Sequence, residues 1–581
     1  MGKTGNDRKN RSKRAAGSDG TLIKKEYLIL FAIFLFAIFI RFYSDPSIPY
    51  HYDPGKNIVY AHAALDSFPL VPQVNPYFNL GEYYEYQVLF PYTVAVLSKI
   101  TGLSLVILTS WLAVLTGAAL CLTVYFLSRE LFGNTTAALV SAFLIAVSRI
   151  EILGYVNYYP QIMAMTFMPL AALCLIRYVK TERFGYLLLV AILSALIVLA
   201  SYLTALVYFL VILIALAVWC LREKKFVISL LLIPLMTAAL LTFFWLPIVW
   251  RHGIQSFVDI AAGDILTPQI SAFTNQPWTL ASFLSYSSAT VIAIGLGICA
   301  LLLYRKMPWK MVWDFPKVLL AVWLAVSFVL IGSYLFYPIL WVDRYFQFFD
   351  IALLIVAGFV IAFIIDKLNA LKIPAFRYKG YLVLLLLVIP LYGAVHPDTT
   401  FVRWGYPSDM EMVEYMQALP AGSLVVAPPG IQGFWFSALS GMHILGGESA
   451  QMIGQHYSGE ADSDTIINSP DVNQKMDLIR KYGVNYIVIP YHGNNYAMWN
   501  RDLNVEGIDA FNNSLYFAVD KYFSDSSGST VLLKVKENLT PAYAPEQVDW
   551  GITATGYLIS VAALCGFGYF WYSRRKQEKG S

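Results

Sequence analysis

The chain has 581 residues, of which 58% are hydrophobic and only 13% are charged, and its formal net charge at pH 7 is +4. A polar surface cannot cover so apolar a chain in water, and the mean hydropathy of +0.59 is equally high. This composition excludes a soluble globular protein and predicts an integral membrane protein.

The first 26 residues are rich in lysine and arginine. We interpret them as a basic cytoplasmic tail that fixes topology, and not as a nucleic-acid-binding segment, because basic residues favour the cytoplasmic side of a membrane. The first apolar segment begins late and lacks a small-residue cleavage site, which argues against a cleaved signal peptide.

Apolar runs long enough to cross a hydrocarbon core of about 30 Å recur along the chain and predict about 12 transmembrane helices. They lie near 27–42, 104–127, 137–148, 162–176, 185–202, 204–221, 226–249, 286–304, 316–333, 346–365, 380–395 and 551–572. Basic residues occupy alternate loops, so both termini are predicted to be cytoplasmic. The predicted units are a multi-span domain (27–395), an extracytoplasmic domain (396–549), and a C-terminal helix with a basic cytoplasmic tail (550–581).

The first outside loop, 43–103, contains the acid with the clearest possible chemistry. Asp53 directly precedes Pro54, a pattern typical of a helix N-cap followed by proline at the first helical position. A carboxylate there could also bind a metal or a substrate, and the residues leave both roles open. His51 and His62 lie nearby but lack metal-ligand spacing.

The same loop contains the stretch "GEYYEYQ" with Glu82 and Glu85. These are candidate outer-face acids, or residues that are simply solvated at the membrane interface. Helices are predicted over "PGKNIVYAHAALDSF" and, lying along the interface, over "YEYQVLFPYTVAVLSKITG".

Two further polar clusters fall at predicted outer ends of spans. "SRIEILGYVNYYPQ" contains Arg149 and Asn157, and such residues often do no more than mark the interface. "WVDRYFQFFD" contains Asp343 and Arg344. These two can form an ion pair, or the arginine can bind a phosphate, because its planar fork matches phosphate oxygens.

Residues 396–549 change in composition. Strand-like runs "SLVVAPP", "VNYIVIPY" and "STVLLKV" alternate with helix-like "SDMEMVEYMQAL" and "NQKMDLIRKYG". This alternation predicts a small α/β domain, and about 150 residues suffice for a core of its own.

The order of these features resembles the type C membrane glycosyltransferases (GT-C), and within them the catalytic subunit of oligosaccharyltransferase, in its archaeal form. The resemblance is found in "RFYSDPSIPYHYDPGKNIVYAHAALD", "SRIEILGYVNYYPQIMAMTFMPLAAL", "DRYFQFFDIALLIVAG" and "DMEMVEYMQALPAGSLVVAPPGIQGFWFSALSGMHILGG". It implies that Asp53 binds the acceptor and, together with Asn157, a divalent metal (Mg²⁺ or Mn²⁺). It implies that Arg344 and Arg149 face the phosphate of a lipid-linked donor.

The sequence departs from this family at the acceptor motifs. The WWDYG motif is replaced by "PPGIQGFWF", which has Gln432 and Trp435 where the polar groups would be, although Trp435 is also a good core residue. The loop near 250–285 offers Asp259 and Asp264 in place of a TIxE-like glutamate. Glycosylation of protein asparagine is therefore not assigned.

The predicted function is transfer of a sugar or oligosaccharide from a polyprenyl (dolichyl-type) phosphate carrier to an acceptor on the extracytoplasmic face. The predicted partners are the lipid-linked donor, an acceptor of unknown class and the membrane, without nucleic acid. Two alternatives stay open. One is a non-catalytic relative of the same fold; the other is a transporter, which is disfavoured because charges cluster at span ends and no inverted repeat is evident.

Overall fold

A computed structural model of the protein describes most of the helical region and of the C-terminal part. The described residues are 25–42, 52–72, 74–77, 82–83, 87–148, 159–223, 231–254, 314–332, 342–370, 407–427, 431–446, 458–492, 505–526, 528–542 and 549–580.

The first two thirds of the described chain is helical apart from one short pair of strands. In chain order the elements are α1 (25–42), α2 (Tyr52–Ser67), β1 (Val74–Asn75), β2 (Glu82–Tyr83), α3 (Leu89–Thr101), α4 (Leu105–Phe132), α5 (Thr135–Ala146), α6 (Tyr159–Thr181), α7 (Phe184–Ala200), α8 (Tyr202–Glu223), α9 (Leu232–Leu240), α10 (Thr242–His252), α11 (Phe315–Gly332) and α12 (Val342–Ala370).

The C-terminal part contains the remaining elements. These are α13 (Pro407–Met416), β3 (Leu424–Val426), α14 (Ile431–Ser440), β4 (His443–Leu445), α15 (Ser458–Asn468), α16 (Val472–Tyr482), β5 (Tyr486–His492), α17 (Val505–Asp509), a 3₁₀ turn (Ala510–Asn512), β6 (Phe517–Asp525), β7 (Gly528–Val535) and α18 (Trp550–Gly580).

Six helices in the described chain are long and apolar enough to cross a membrane, namely α4, α6, α8, α11, α12 and α18. The protein is therefore a multi-pass membrane protein. The predicted spans at 286–304 and 380–395 lie outside the described residues.

The predicted span at 226–249 is not one straight helix. Helices α9 and α10 meet at a bend of 77°. Pro247 lies inside α10 and cannot bond to the carbonyl of Phe243, which weakens the helix at its start. The Phe243 backbone N–H lies in the first turn of α10, where the bend leaves it without a helical acceptor, and it donates to Ser560 Oγ on α18 at 3.0 Å. A neighbouring helix thus satisfies the backbone group that the bend releases, as an apolar environment requires.

Ion pairs tie together one end of the helical bundle. Arg129 at the end of α4 pairs with Glu26 at the start of α1. Glu130 accepts from Arg177 at 3.1 Å and from Lys180 at 2.9 Å, both near the end of α6. These helix termini are the ones that the basic loops predict to be cytoplasmic.

The C-terminal part is built around a five-stranded mixed sheet with strand order β4-β3-β5-β7-β6. Strand β3 runs parallel to β4 and β5, while β7 runs antiparallel to β5 and β6. Strands β3, β5 and β7 coincide with the three predicted strand-like runs. One side of the sheet has its own apolar core, which includes Ile479, Ile487 and Leu533.

Candidate functional site

Helix α2 places Asp53 in its first turn. The helix begins at Tyr52, so Asp53 is its second residue and not the N-cap that the sequence predicts. Pro54 still lies in the first turn, where its missing N–H removes no helical bond. The Asp53 side chain lies outside what the structure describes. Its position next to the positive end of the helix dipole favours a carboxylate.

The middle of α2 is buried on several sides, although the sequence places it in an outside loop. Ile58 and Val59 are fully buried, and α2 packs against α3 and α14. An acid at the start of such a helix is held in a fixed place by the packing of the residues that follow it.

Trp435 of α14 packs on Gly55 of α2. The Trp435 side chain has no exposed surface, and a Cβ atom added to Gly55 would lie 3.0 Å from ring atoms Cδ2 and Cε2. This burial favours the interpretation of Trp435 as a core residue, and its role toward an acceptor stays a prediction. Gln432 is the second residue of α14, and its side chain lies outside the described part.

Tyr77, which follows α2, links this part of the chain to the C-terminal part. Its backbone carbonyl accepts from the Ile444 N–H at 3.1 Å and from Ser437 Oγ at 3.3 Å. Its ring stacks on the His443 ring at a centroid distance of 5.1 Å and an interplanar angle of 5°. The Tyr77 hydroxyl donates to Asp66 Oδ2 at 2.5 Å. Tyr77 is thus held in place by its backbone carbonyl and ring, which contact the C-terminal part, and by its hydroxyl, which bonds to α2.

His62 joins this contact from α2. Its Nε2 lies 3.1 Å from the Ala438 carbonyl and donates to it, and its ring is 5.2 Å from that of Tyr77. Burial lowers the pKa of His62 below its ordinary value of 6.5, against smaller opposing effects of the Ala438 carbonyl and Asp66. Burial also raises the pKa of Tyr77, and its bond to Asp66 adds to that shift. Both groups are therefore neutral at pH 7, and His62 serves as a hydrogen-bond donor.

The side chains of the two glutamates of the first loop are not among the groups that the structure describes. Glu82 lies in β2, opposite Asn75 of β1, and its side chain lies outside the described part. Glu85 lies outside the described residues.

Arg344 lies in the first turn of α12 and is half-buried. Its backbone carbonyl accepts from Gln161 Nε2 at 3.4 Å, and the same amide nitrogen donates to Gln347 Oε1 at 2.8 Å. Gln161 belongs to the first turn of α6, so the starts of α6 and α12 meet. Arg344 is thus positioned by a buried amide pair that the sequence analysis did not identify.

The segment 149–158, which contains Arg149 and Asn157, lies outside the described residues. Both of its flanks bond to α12. On one side Ser148 Oγ donates to Asp350 Oδ2 at 2.6 Å, and on the other side Gln161 bonds as described above. Ser148 and Asp350 are buried. In the sequence, Asp350 could have been identified as a polar residue within an apolar run, in "QFFD". Ionisable side chains inside membrane helices are rare, and they commonly mark functional sites.

Contacts between helices connect the region of α2 with the region where α6 and α12 begin. Arg41 and Phe42 end α1; Arg41 Nη1 donates to the Ala146 carbonyl at the end of α5, at 3.5 Å. On α3, Phe90 lies 5.7 Å from Tyr159 at the start of α6. Since α3 packs on α2, the helix of Asp53 and the helix start of Arg344 lie at the same end of the bundle.

Among the described residues no group of three or more His, Cys, Asp or Glu side chains could hold a metal ion. The predicted ligands are the Asp53 side chain and Asn157, which both lie outside the described part. A carboxylate and an amide oxygen are ligands that Mg²⁺ accepts. The two residues therefore fit a divalent metal by the chemistry of their oxygen atoms.

Comparison with known proteins agrees with this architecture. The family model of dolichyl-phosphate-mannose-protein mannosyltransferases matches residues 88–247. No curated protein matches by sequence.

Several solved structures are similar in fold. The apo oligosaccharyltransferase of Archaeoglobus fulgidus aligns over 87% of this chain and 74% of its own, with 16% identity and a TM-score of 0.55. ArnT of Cupriavidus metallidurans bound to undecaprenyl phosphate aligns over 87% of this chain and 97% of its own, with 11% identity and a TM-score of 0.56. Arabinofuranosyltransferase AftD from Mycobacteria aligns over 87% of this chain and 41% of its own, with 12% identity and a TM-score of 0.56.

Further structures of the Archaeoglobus enzyme contain ligands. One holds an inhibitory peptide and a dolichol-phosphate, with 15% identity and a TM-score of 0.52 to this chain, over 87% of this chain and 74% of its own. Another is a complex with Zn and sulfate. The chain has the fold of the type C membrane glycosyltransferases, which confirms the resemblance predicted from the sequence.

Proposed function

We propose that the protein is a membrane glycosyltransferase that moves a sugar or oligosaccharide from a polyprenyl phosphate carrier to an acceptor at the extracytoplasmic face. The observation that supports this most is that contacts through α3 and the start of α6 connect the helix of Asp53 with the arginine-bearing start of α12. The solved relatives bound to dolichol-phosphate or undecaprenyl phosphate have the same fold.

The proposed reaction breaks the bond between the anomeric carbon and the carrier phosphate oxygen. The acceptor atom forms the new bond and loses a proton, and the carrier phosphate leaves with the bonding electron pair. Asp53 orients the acceptor or takes its proton. Arg344, with Arg149, stabilises the charge that develops on the leaving phosphate, because a fixed guanidinium in an apolar setting needs no reorganisation.

A divalent metal, Mg²⁺ or Mn²⁺, is proposed on Asp53 and Asn157, and would supply further positive charge at the reacting groups. The acceptor side is proposed to lie at the contact between α2 and α14. There Gln432 is the candidate polar contact, with Glu82 and Glu85 as further acids. The packing of Trp435 on Gly55 supports this assignment because it places α14, the helix of Gln432, beside α2. We further propose that residues 396–549 are extracytoplasmic and that both termini are cytoplasmic.

The test is turnover of a radiolabelled polyprenyl phosphate sugar by the full-length protein in liposomes, followed as release of the free polyprenyl phosphate. We expect release with the parent protein and loss with Asp53→Asn. Three outcomes separate the alternatives. Donor binding without turnover by the parent protein under every metal and acceptor condition indicates the non-catalytic relative. Movement of an intact solute across the liposome wall indicates a transporter. Absence of donor binding overturns the proposal.

A further inference from the structure

A cavity of about 450 Å³ lies between the start of α7 and the end of α18. Two arginines, Arg183 and Arg574, and three aromatic residues, Phe184, Tyr186 and Trp571, contribute to its lining. It is at the end of the bundle where the ion-paired basic residues lie. Helix α6, about 35 Å long at 1.5 Å per residue, separates this end from Arg344, so the cavity is distinct from the candidate active site.

The cavity has a firm base, because α7 and α18 touch there. A Cβ atom added to Gly185 would lie 2.6 Å from Trp571 Nε1. The Phe184 and Phe570 rings meet edge to face with centroids 4.8 Å apart. The Arg574 guanidinium carbon lies 5.2 Å from the centroid of the Phe570 ring. The ring contact favours this placement of the cation.

The basic residues near the two arginines form ion pairs with carboxylates, whereas the two arginines do not in the described part of the chain. Arg129 is paired with Glu26, and Arg177 and Lys180 share Glu130. In the part of the chain that the structure describes, neither Arg183 nor Arg574 forms an ion pair with a carboxylate. Two guanidinium groups thus leave an excess of positive charge at the mouth of one cavity.

Arg183 also directly precedes α7, as its N-cap residue, and its side chain does not bond to the helix end. The first backbone N–H groups of a helix add partial positive charge at such a position. The electrostatics of the cavity therefore favour an anion.

The rest of the lining is apolar and follows α7 into the membrane. Leu188, Leu189 and Ile192 continue the cavity away from the arginines, and Leu189 is 45% exposed on the outer surface of the helix. A ligand with an anionic headgroup and hydrocarbon chains can contact both the arginines and the apolar side chains of the cavity. Free phosphate can contact the arginines only. Aromatic rings at headgroup depth are a common feature of such membrane interfaces.

We propose that this cavity binds the phosphate headgroup of an anionic phospholipid from the leaflet at this end, predicted to be cytoplasmic. Its headgroup lies between Arg183 and Arg574, and its acyl chains lie along Leu188, Leu189 and Ile192. Basic pockets between transmembrane helices on the cytoplasmic side bind such lipids. This site does not depend on the proposed transferase activity.

The experiment is native mass spectrometry of the full-length protein in an uncharged detergent, titrated with phosphatidylglycerol and, separately, with phosphatidylcholine. The test variant is the double change Arg183→Gln and Arg574→Gln. The matched control is Lys180→Gln, a basic residue of the same region that is already paired with Glu130. Both arginines are exposed, so the thermal unfolding temperature should stay near that of the parent protein.

We expect the parent protein to bind phosphatidylglycerol in preference to phosphatidylcholine. The double variant should bind it about tenfold or more weakly, in line with the contribution of two cations near a membrane surface. The control should bind it as the parent does, and Arg183→Lys with Arg574→Lys should keep most of the binding. Equal phosphatidylglycerol affinity in the parent and double variant overturns the proposal. Inorganic phosphate that competes at the same concentration as the lipid overturns the lipid as occupant.

Discussion

The indole of Trp435 lies against the backbone of Gly55, so that the helix of the candidate catalytic acid has no side chain of its own at its contact with α14. This contact links α2 with the C-terminal part. Its geometry makes the glycine a sensitive position.

Gly55→Ala should weaken this contact. The new Cβ would lie 3.0 Å from the Trp435 ring, and the ring is fully buried and cannot move into solvent. Overpacking of this kind costs typically about 1–3 kcal/mol. We expect a lower unfolding temperature and a large loss of transfer activity. Gly102→Ala is an unsuitable control because that glycine has a positive φ, so Gly332→Ala, which meets no atom within 4 Å, serves instead. Equal unfolding temperatures in the Gly55→Ala and parent proteins would contradict the packing argument.

Asp53→Asn should abolish transfer while leaving the fold intact. Asparagine preserves the size of the side chain and is tolerated near a helix start, so a purely structural role predicts nearly normal activity. A role in orienting or deprotonating the acceptor predicts a loss of about 10²-fold or more. The measurement is donor turnover beside thermal unfolding of the same preparations. Unchanged turnover in Asp53→Asn would remove Asp53 from the mechanism.

Arg344→Lys and Arg344→Ala should weaken donor binding in that order. Lysine keeps the charge but replaces a bidentate fork with a point charge, and alanine removes the charge. The bonds that position this residue involve its backbone carbonyl and should survive both changes. Affinity for a polyprenyl phosphate analogue, measured by competition, is the readout. If the alanine variant binds the analogue as tightly as the parent protein, Arg344 does not contact the donor.

The contact of α2 with α14 should weaken as the pH falls below about 6.5. The pKa of His62 is lowered by burial in the folded protein, from an ordinary value of 6.5. The unfolded state therefore takes up a proton first, and the folded state loses up to about 1.4 kcal/mol per pH unit until the folded pKa is reached. The groups that face His62 are Asp66, Tyr77, the Ala438 carbonyl and Gly441.

The measurement for His62 is the unfolding temperature between about pH 7.5 and pH 5.5. His62→Gln retains an N–H donor for the Ala438 carbonyl but cannot titrate, so its unfolding temperature should depend less on pH in this range. A pH dependence identical to that of the parent protein would assign the effect to other groups.

Labelling of an introduced cysteine tests the orientation. Asn473→Cys replaces an exposed residue of α16 and should react with an impermeant maleimide from outside intact cells. Thr181→Cys, exposed at the end of α6, should react only after the membrane is opened. The reverse pattern would invert the predicted topology.

Local patterns in the sequence predicted much of the secondary structure. Helix α2, for example, follows from a proline near its start and an apolar face, and β5 from the run "YIVI" of β-branched and aromatic residues. The bend between α9 and α10 was missed because mean hydropathy over 226–249 does not register one proline and its effect on the backbone.

The site was predictable only in part, because its polar contacts join distant parts of the chain. The Ser148–Asp350 bond spans 202 positions and the Gln161–Gln347 bond spans 186. No rule of sequence spacing relates residues that far apart. A buried polar side chain is tolerated when it has a hydrogen-bond partner, and here that partner comes from a distant helix. Tyr77 and His443 are also far apart in the sequence, so the stacking of their rings could not be inferred from either segment alone.

The bond between His62 and Ala438 also sets an order of events during synthesis. Its two residues are 376 positions apart. At about 5–20 residues per second, the ribosome reaches the second partner roughly 20–75 s after the first. During that interval the face of α2 that contains Gly55 and His62 is not yet covered by α14. The helix of the candidate catalytic acid therefore completes its packing late, after most of the membrane helices have been made.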